Sequence, residues 1–189
     1  MKICGITNPD DARLAEEAGA DAIGVVLFSA SPRCVSPEKA REIFDAVPAM
    51  IRVCVTHTEL QADLETICSL RSDAIQVSCR ATVPVCCRSR IFRMIQAGEE
   101  IPVGADALII DGSRGSGRPY DLKYAIHVIK STGVPVYLAG GLTPDNVAAA
   151  IIAVRPYGVD VASGVESAPG RKDPEKVRLF VEHAKGVEL

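Results

Sequence analysis

Short runs of apolar residues recur along the chain, and most are bounded by Asp, Gly or Pro. Four of the runs share a phrase in which Asp is followed directly by small and branched apolar residues. Uninterrupted apolar runs of this length are typical of parallel strands that are covered on both faces. The pattern predicts eight strands, at residues 3–4, 21–25, 51–55, 73–77, 91–95, 106–110, 134–138 and 159–162.

A helix-start signature occurs four times as a polar residue, then Pro, then an acidic residue. The polar side chain can accept a hydrogen bond from a free backbone N–H, Pro suits the first helical position, and the acid suits the positive end of the helix dipole. Apolar positions at helical spacing follow each signature, and two further helices fit residues 59–70 and 121–131. The signatures are Asn8-Pro9-Asp10, Ser36-Pro37-Glu38, Thr143-Pro144-Asp145 and Asp173-Pro174-Glu175.

Alternation of strands with helices implies an α/β fold with a parallel sheet and right-handed crossovers. Eight such units favour a small (β/α)8 TIM barrel that forms a single domain over residues 1–189. An open doubly wound sheet is the alternative, but its GxGxxG fingerprint does not follow the first strand. Residues 78–105 must hold two helices and a strand, so short or irregular helices are expected there.

The composition is that of an ordinary globular protein, with 48% hydrophobic and 24% charged residues and a net charge of -3. No long basic run indicates nucleic-acid binding, and no apolar run approaches the roughly 20 residues of a membrane helix. Seven cysteines are present without a CxxC pair, so no zinc site is expected. An odd cysteine count without a visible secretory signal favours reduced thiols in the cytoplasm, although an internal disulfide stays open.

Three side chains at the ends of predicted strands carry candidate chemistry, because barrels of this kind act at the C-terminal ends of their strands. Cys4 ends the first strand, where a thiol near a cation and helix N-termini can ionise and act as a base. Asp111 ends the sixth strand, where a partly desolvated carboxyl suits a general acid. Arg33 follows the second strand, and its planar fork suits a substrate carboxylate. By residue type alone, a buried structural thiol, a cap and an exposed loop arginine are the ordinary alternatives.

Glycine-containing loops follow the last two predicted strands. Gly140 and Gly141 come after the seventh strand, and Ser163 and Gly164 come after the eighth. This fold commonly binds phosphate at these two loops, through backbone N–H groups and a helix N-terminus. Residues 112–117 form a glycine-rich segment that reads either as a loop closing over a ligand or as a plain connector.

The motifs around these positions resemble the phosphoribosylanthranilate isomerase family of tryptophan biosynthesis. The match runs in order over nearly the whole chain, with residues 78–105 as its poorly matched part, and its opening and closing motifs together are specific. The matching segments are Lys2-Ile3-Cys4-Gly5-Ile6-Thr7, residues 19–24, Ser31-Pro32-Arg33, Ile110-Asp111, Gly115-Ser116-Gly117, Ala139-Gly140-Gly141-Leu142 with Asn146-Val147, and residues 158–166.

The resemblance implies an Amadori rearrangement of N-(5-phosphoribosyl)anthranilate to 1-(2-carboxyphenylamino)-1-deoxyribulose 5-phosphate. By this likeness Cys4 is the general base, Asp111 is the general acid, and Arg33 holds the anthranilate carboxylate. Gln76 matches a residue at the mouth of the family's barrel. The reaction needs no metal and no organic cofactor, and the expected partner is a small phosphorylated aminosugar rather than nucleic acid or membrane.

Three segments depart from the family pattern. The family's pocket-lining residues on strands 3 to 5 are therefore not assigned to positions of this chain. Thr56-His57-Thr58 replaces Phe-Val-Asn, Val77-Ser78-Cys79 replaces Leu-His-Gly, and Phe92-Arg93-Met94 replaces Ile-Lys-Ala. For His57, two interpretations stay open, a residue at the mouth of the barrel and a solvated loop residue, and the second is expected. Two alternatives stay open: a related barrel isomerase for another phosphoribosyl amine, and a non-catalytic sugar-phosphate-binding protein. The related isomerase would use paired aspartates and two phosphate-binding sites, whereas this chain has Cys4 and one evident phosphate-binding site.

Overall fold

Eight parallel strands close into a barrel in the computed structural model, which describes residues 1–112 and 120–188. Neighbours in the barrel are neighbours in the sequence, and β8 closes on β1 with Lys2 opposite Asp160. The predicted (β/α)8 barrel is therefore confirmed, and the open doubly wound sheet was wrong. The strands are β1 (Lys2–Cys4), β2 (Ala22–Val26), β3 (Ile51–Val55), β4 (Ala74–Ser78), β5 (Arg90–Ile95), β6 (Ala107–Asp111), β7 (Val136–Ala139) and β8 (Gly158–Val161).

Helices cover the outside of the barrel, and three of the four start signatures cap one. Side-chain oxygens of Asn8, Ser36 and Asp173 accept backbone N–H groups of the first turn. A short antiparallel pair, β9 (Glu166–Ala168) and β10 (Arg171–Lys172), follows the barrel. The helices are α1 (Pro9–Glu17), α2 (Pro37–Ala46), α3 (Gln61–Ser69), α4 (Leu122–Ser131), α5 (Val147–Val154) and α6 (Pro174–Lys185).

The fourth start signature, at residues 143–145, was wrong as a helix start. Pro144 and Asp145 lie in a turn, and α5 begins only at Val147. The backbone N–H of Thr143 donates to Asn146 Oδ1 at 2.8 Å, and the Thr143 carbonyl accepts from the Val147 N–H at 3.1 Å. The Asn146 side chain therefore holds a separate turn ahead of the helix.

The segment 79–106 contains turns and β5 but no helix among its residues, all of which the structure describes. The expected short or irregular helices are thus absent from this side of the barrel. Arg93 lies on the outer side of β5, where it donates to the carbonyl oxygens of Ser78, at 3.0 Å, and Ala81. Its guanidinium holds the chain after β4 in place, so a helix is not needed to satisfy these backbone groups.

The buried apolar residues form two clusters, one between the strands and the helices and one inside the barrel. Side chains alternate between these clusters along each strand. Ile3 packs outward and Cys4 inward, and Ile109 on β6 packs inward two residues before Asp111. The same alternation aims Asp111 into the barrel. No helix in the described ranges combines the length and apolar character that a membrane crossing requires.

Candidate active site

Cys4 lies at the carboxyl end of β1, inside the barrel and 8% exposed. Its register partner on β2 is Gly24, where a Cβ atom would lie only 2.8 Å from the Cys4 sulfur. Burial raises the pKa of the thiol, the carboxylate of Asp160 raises it further, and the ammonium groups of Lys2 and Lys172 oppose this rise without cancelling it. The thiol is therefore held mainly protonated in the ligand-free protein.

An ion pair lies inside the barrel beside this thiol. Lys2 is 1% exposed, and its Nζ donates to Asp160 Oδ2 at 2.9 Å across the β1–β8 seam. Burial lowers the pKa of Lys2, but Asp160 and Cys4 outweigh it, and the net direction is upward. Asp160 Oδ1 is buried and has no hydrogen-bond partner among the residues that the structure describes. The ion pair and the unsatisfied oxygen make the interior of the barrel polar beside Cys4.

Asp111 ends β6, and it lies at the same end of the barrel as Cys4. It lines a cavity of about 200 Å³, while Cys4 lines a neighbouring cavity of about 670 Å³, and His57 and Met94 line both. Asp160 connects the two groups electrostatically, since its charge raises the pKa of Cys4 and the charge of Asp111 raises the pKa of Asp160. The structure therefore places the two predicted proton-transfer groups in two adjoining cavities at the same end of the barrel.

Arg33 lies in the loop after β2 and lines the larger cavity with Cys4. Its Nε and Nη2 atoms donate to the two carboxylate oxygens of Glu166, at 2.8 and 2.7 Å. The side chain crosses over Gly5, where a Cβ would lie 2.5 Å from Arg33 Cδ and where the φ of +73° favours glycine. A glycine next to the Cys4 thiol therefore makes room for this arginine.

Lys172 on β10 was not singled out from the sequence, and neither was Glu166. The Lys172 side chain is fully buried, and its Nζ donates to Glu166 Oε1 at 3.0 Å, to the Cys4 carbonyl at 2.7 Å and to the Ala162 carbonyl at 3.0 Å. Burial opposes the ionisation of Glu166, but the bonds from Arg33 and Lys172 outweigh it and lower the pKa of this carboxyl. The acidic residue at the end of the closing motif was the available sequence signal.

Gln76 on β4 is 3% exposed and lines the same cavity as Cys4 and Arg33. Its Oε1 atom is buried without a hydrogen-bond partner in residues 1–112 and 120–188. A buried amide oxygen loses free energy unless it is hydrogen-bonded, so this atom is suited to accept a bond from a bound ligand. The structure thus places the predicted mouth residue at the pocket.

The loops after β7 and β8 touch each other at the end of the barrel. Gly140 and Gly141 have φ values of +94° and +65°, which few other residues adopt. Gly164 packs so closely that a Cβ would lie 1.8 Å from the Leu142 carbonyl oxygen. Together with Ser163, these glycines line a small cavity of about 50 Å³ that also reaches Cys4. Both predicted phosphate loops therefore meet at one place beside the thiol.

The sequence model of the family described as N-(5'phosphoribosyl)anthranilate (PRA) isomerase matches residues 1–183. The chain belongs to this family. It is similar to the N-(5'-phosphoribosyl)anthranilate isomerase of Methanoregula boonei, with 50% identity over 98% of this chain and 96% of that protein. The predicted family, the isomerase function in tryptophan biosynthesis and the enzyme class are thereby confirmed.

Solved structures of PRA isomerases have the same fold. The enzyme from Thermus thermophilus superposes with a TM-score of 0.83 at 36% identity, over 96% of each chain. A PRA isomerase in complex with reduced 1-(o-carboxyphenylamino)-1-deoxyribulose 5-phosphate superposes with a TM-score of 0.79 at 32% identity, over 98% of each chain. The similarity extends over nearly the full length of these PRA isomerases.

The departures from the PRA isomerase pattern fall partly at the pocket and partly on the outside of the barrel. His57, Ser78 and Met94 line the cavity of Asp111, whereas Arg93 holds the outer chain. His57 is exposed, as expected, but it borders the pocket rather than open solvent alone. The family segment Gly115-Ser116-Gly117 lies outside the described residues. Within residues 1–112 and 120–188, no cluster of three His, Cys, Asp or Glu side chains could hold a metal ion.

Proposed function

We propose that this family member isomerises N-(5-phosphoribosyl)anthranilate with Cys4 as general base and Asp111 as general acid, without a metal or an organic cofactor. The observation that carries these roles is that Cys4 and Asp111, at the carboxyl ends of β1 and β6, line adjoining cavities with His57 and Met94 in common. Two proton-transfer groups on different strands can act on different atoms of one ribose.

The reaction balances with these two groups alone. Asp111 gives its proton to the furanose ring oxygen, the bond from C1 to that oxygen breaks, and the nitrogen lone pair forms a C1=N iminium. Cys4, as the thiolate, then takes the proton from C2, and the electron pair of that bond forms the enamine. The Cys4 thiol then returns its proton to C1 while the enol proton passes to the Asp111 carboxylate, which leaves the C2 ketone and restores both groups. Each proton transfer contributes about 10²–10⁴-fold to the rate.

The remaining site residues hold the two ends of the substrate in this proposal. The loops with Gly140, Gly141, Ser163 and Gly164 bind the phosphate through backbone N–H groups, which is supported by their junction beside Cys4. Arg33 binds the anthranilate carboxylate from the other side of the thiol. Gln76 supplies a polar contact through its unsatisfied amide oxygen. Positioning by both ends adds to the rate, because it orients the ribose between acid and base.

We also propose that residues 1–189 form a single catalytic domain in the cytoplasm. The closed barrel, in which β1 pairs with β8, supports one domain. The seven cysteines are all free thiols, as is usual for proteins of reducing compartments.

The Cys4→Ala variant tests the proposed mechanism. The fluorescence of freshly prepared phosphoribosylanthranilate measures its consumption. The parent protein should turn it over rapidly, and the turnover rate of the variant should be about 10²–10⁴-fold lower. Thermal unfolding should show that the fold is retained. Cys54→Ala is the matched control, because Cys54 is equally buried but faces the helices. Near-normal turnover by Cys4→Ala, or a preference of the parent for a doubly phosphorylated aminosugar, would contradict the proposal.

A further inference from the structure

Arg33, Glu166 and Lys172 form a triad of charged side chains. It lies between the cavity of Cys4 and the short strands β9 and β10. The three side chains are 12%, 4% and 0% exposed, so water screens their interactions poorly. Glu166 lies at the centre, where it accepts both donors of the arginine fork and the lysine ammonium. Bidentate bonds between ionised groups are strong and directional, so the carboxylate determines the plane of the guanidinium.

One edge of this guanidinium remains for another ligand. The bonds to Glu166 use Nε and Nη2 of Arg33, and no acceptor among the described residues binds Nη1. The side chain also lines the large cavity with Cys4 and Gln76. Because a guanidinium is planar and has five N–H donors, the edge formed by Nη1 and Nη2 can still bind a second carboxylate.

The net charge of the triad is positive, so it can bind one more anion. Two cations and one anion give a net charge of +1, which a single carboxylate would neutralise. Burial and, to a smaller extent, the charge of Arg33 lower the pKa of Lys172, so without the charge of Glu166 the repulsion between the two cations would be uncompensated. The arginine is the more exposed of the two, and it would therefore move away from its present position.

Lys172 connects the triad to the catalytic thiol. Its ammonium donates to the carbonyl of Cys4, and the same ammonium binds Glu166, which holds Arg33. The arginine, in turn, lies against Gly5, the residue that follows Cys4. The position of the guanidinium relative to the thiol is therefore determined by contacts at both of its ends.

We propose that Glu166 is a positioning residue that orients Arg33 for recognition of the aryl carboxylate of the substrate. This inference rests on the proposed function, and it adds a residue that does not itself touch the substrate. Glu166 acts on selectivity for the carboxylate rather than on proton transfer.

Glu166→Gln tests the role, because it keeps the size of the side chain and removes its charge. We expect kcat/KM for phosphoribosylanthranilate to fall about 10–100-fold, mainly through KM, because one buried charged hydrogen-bond partner is lost. The same reaction with N-(5-phosphoribosyl)aniline, which lacks the carboxylate, should keep the parent's kcat/KM. Glu175→Gln is the control, since this exposed glutamate pairs with Arg178 on α6 and should affect neither substrate.

The Arg33→Met background separates positioning from a general structural effect. There, Glu166→Gln should cause no further loss with phosphoribosylanthranilate, because the residue acts through the missing arginine. Equal losses with both substrates, no loss with phosphoribosylanthranilate, or additive losses in the double variant would each overturn the inference. Glu166→Asp, which keeps the charge but shortens its reach, gives the same comparison if the Gln variant does not fold. A parent protein without turnover of phosphoribosylanthranilate would refute the proposed function instead.

Discussion

Cys4 combines two opposing influences at the scale of a single residue. Burial and Asp160 raise the pKa of its thiol, while the ammonium groups of Lys2 and Lys172 lower it by a smaller amount. A general base must be deprotonated to act, and its driving force for taking a proton increases with its pKa. The thiolate form of Cys4 is thus a strong base, but only a small fraction of the protein carries it before the substrate binds.

Alkylation of Cys4 in the ligand-free protein should therefore continue to accelerate with pH above the ordinary range of a cysteine. The thiolate is the reacting form, so the rate follows its fraction and levels off only above the raised pKa. Iodoacetamide labelling, resolved by residue with mass spectrometry, measures this profile. The exposed Cys86 provides an internal comparison in the same sample. A Cys4 profile that levels off below about pH 8, under the usual thiol pKa of about 8.5, would contradict the expectation.

The site residues that the sequence revealed are those whose role depends on local position. Cys4 and Asp111 end apolar strands, and alternation along a strand suffices to aim them into the barrel. Arg33 was also found from its loop, but its contact with Glu166, 133 positions further along the chain, was not. Such a pairing does not follow from spacing along the chain, because it depends on which loops the closed barrel brings together.

Local signals also explain which elements were predictable. Asn8, Ser36 and Asp173 cap helices as expected, because each side chain reaches only three residues ahead. Thr143 follows the same pattern but is overruled by Asn146, whose amide also donates to the Gly141 carbonyl at 2.9 Å. The hydrogen bonds of the Asn146 side chain stabilise this loop conformation, so the helix starts later than its signature indicates.

Gly164→Ala tests the contact between the loops after β7 and β8. The added methyl would lie 1.8 Å from the Leu142 carbonyl oxygen, so backbone must move apart. We expect KM for phosphoribosylanthranilate to rise at least about 10-fold, and the free energy of unfolding to fall by about 1–3 kcal/mol, which is the usual cost of overpacking. Steady-state kinetics and denaturant unfolding measure the two effects.

Gly133→Ala is the matched control for this variant, because no atom lies within 4 Å of a Cβ at Gly133. Both parameters should stay near the parent values. An unchanged KM in Gly164→Ala would show that the junction of these loops does not determine substrate binding.

At the scale of the whole molecule, the alternating pattern was sufficient to predict the barrel. It did not predict the side-chain contacts that close the barrel between β1 and β8. Eight strand and helix units imply closure, and the strands close in chain order. The seam between β1 and β8 contains Lys2 and Asp160, which the sequence places 158 residues apart. A lysine in a three-residue strand gives no sign that it will be fully buried, because burial depends on the opposing strand.

Lys2→Met should destabilise the whole barrel, because it leaves the Asp160 carboxylate buried without its cation. Breaking a buried pair in this way costs about 3–5 kcal/mol, whereas breaking an exposed pair costs about 1 kcal/mol or less. Arg13→Met, which removes the exposed partner of Asp10, is the matched control. Denaturant unfolding at neutral pH measures both, and Lys2→Met combined with Asp160→Leu should recover part of the loss, since no uncompensated charge remains. Equal effects of Lys2→Met and Arg13→Met would show that the seam does not depend on this ion pair.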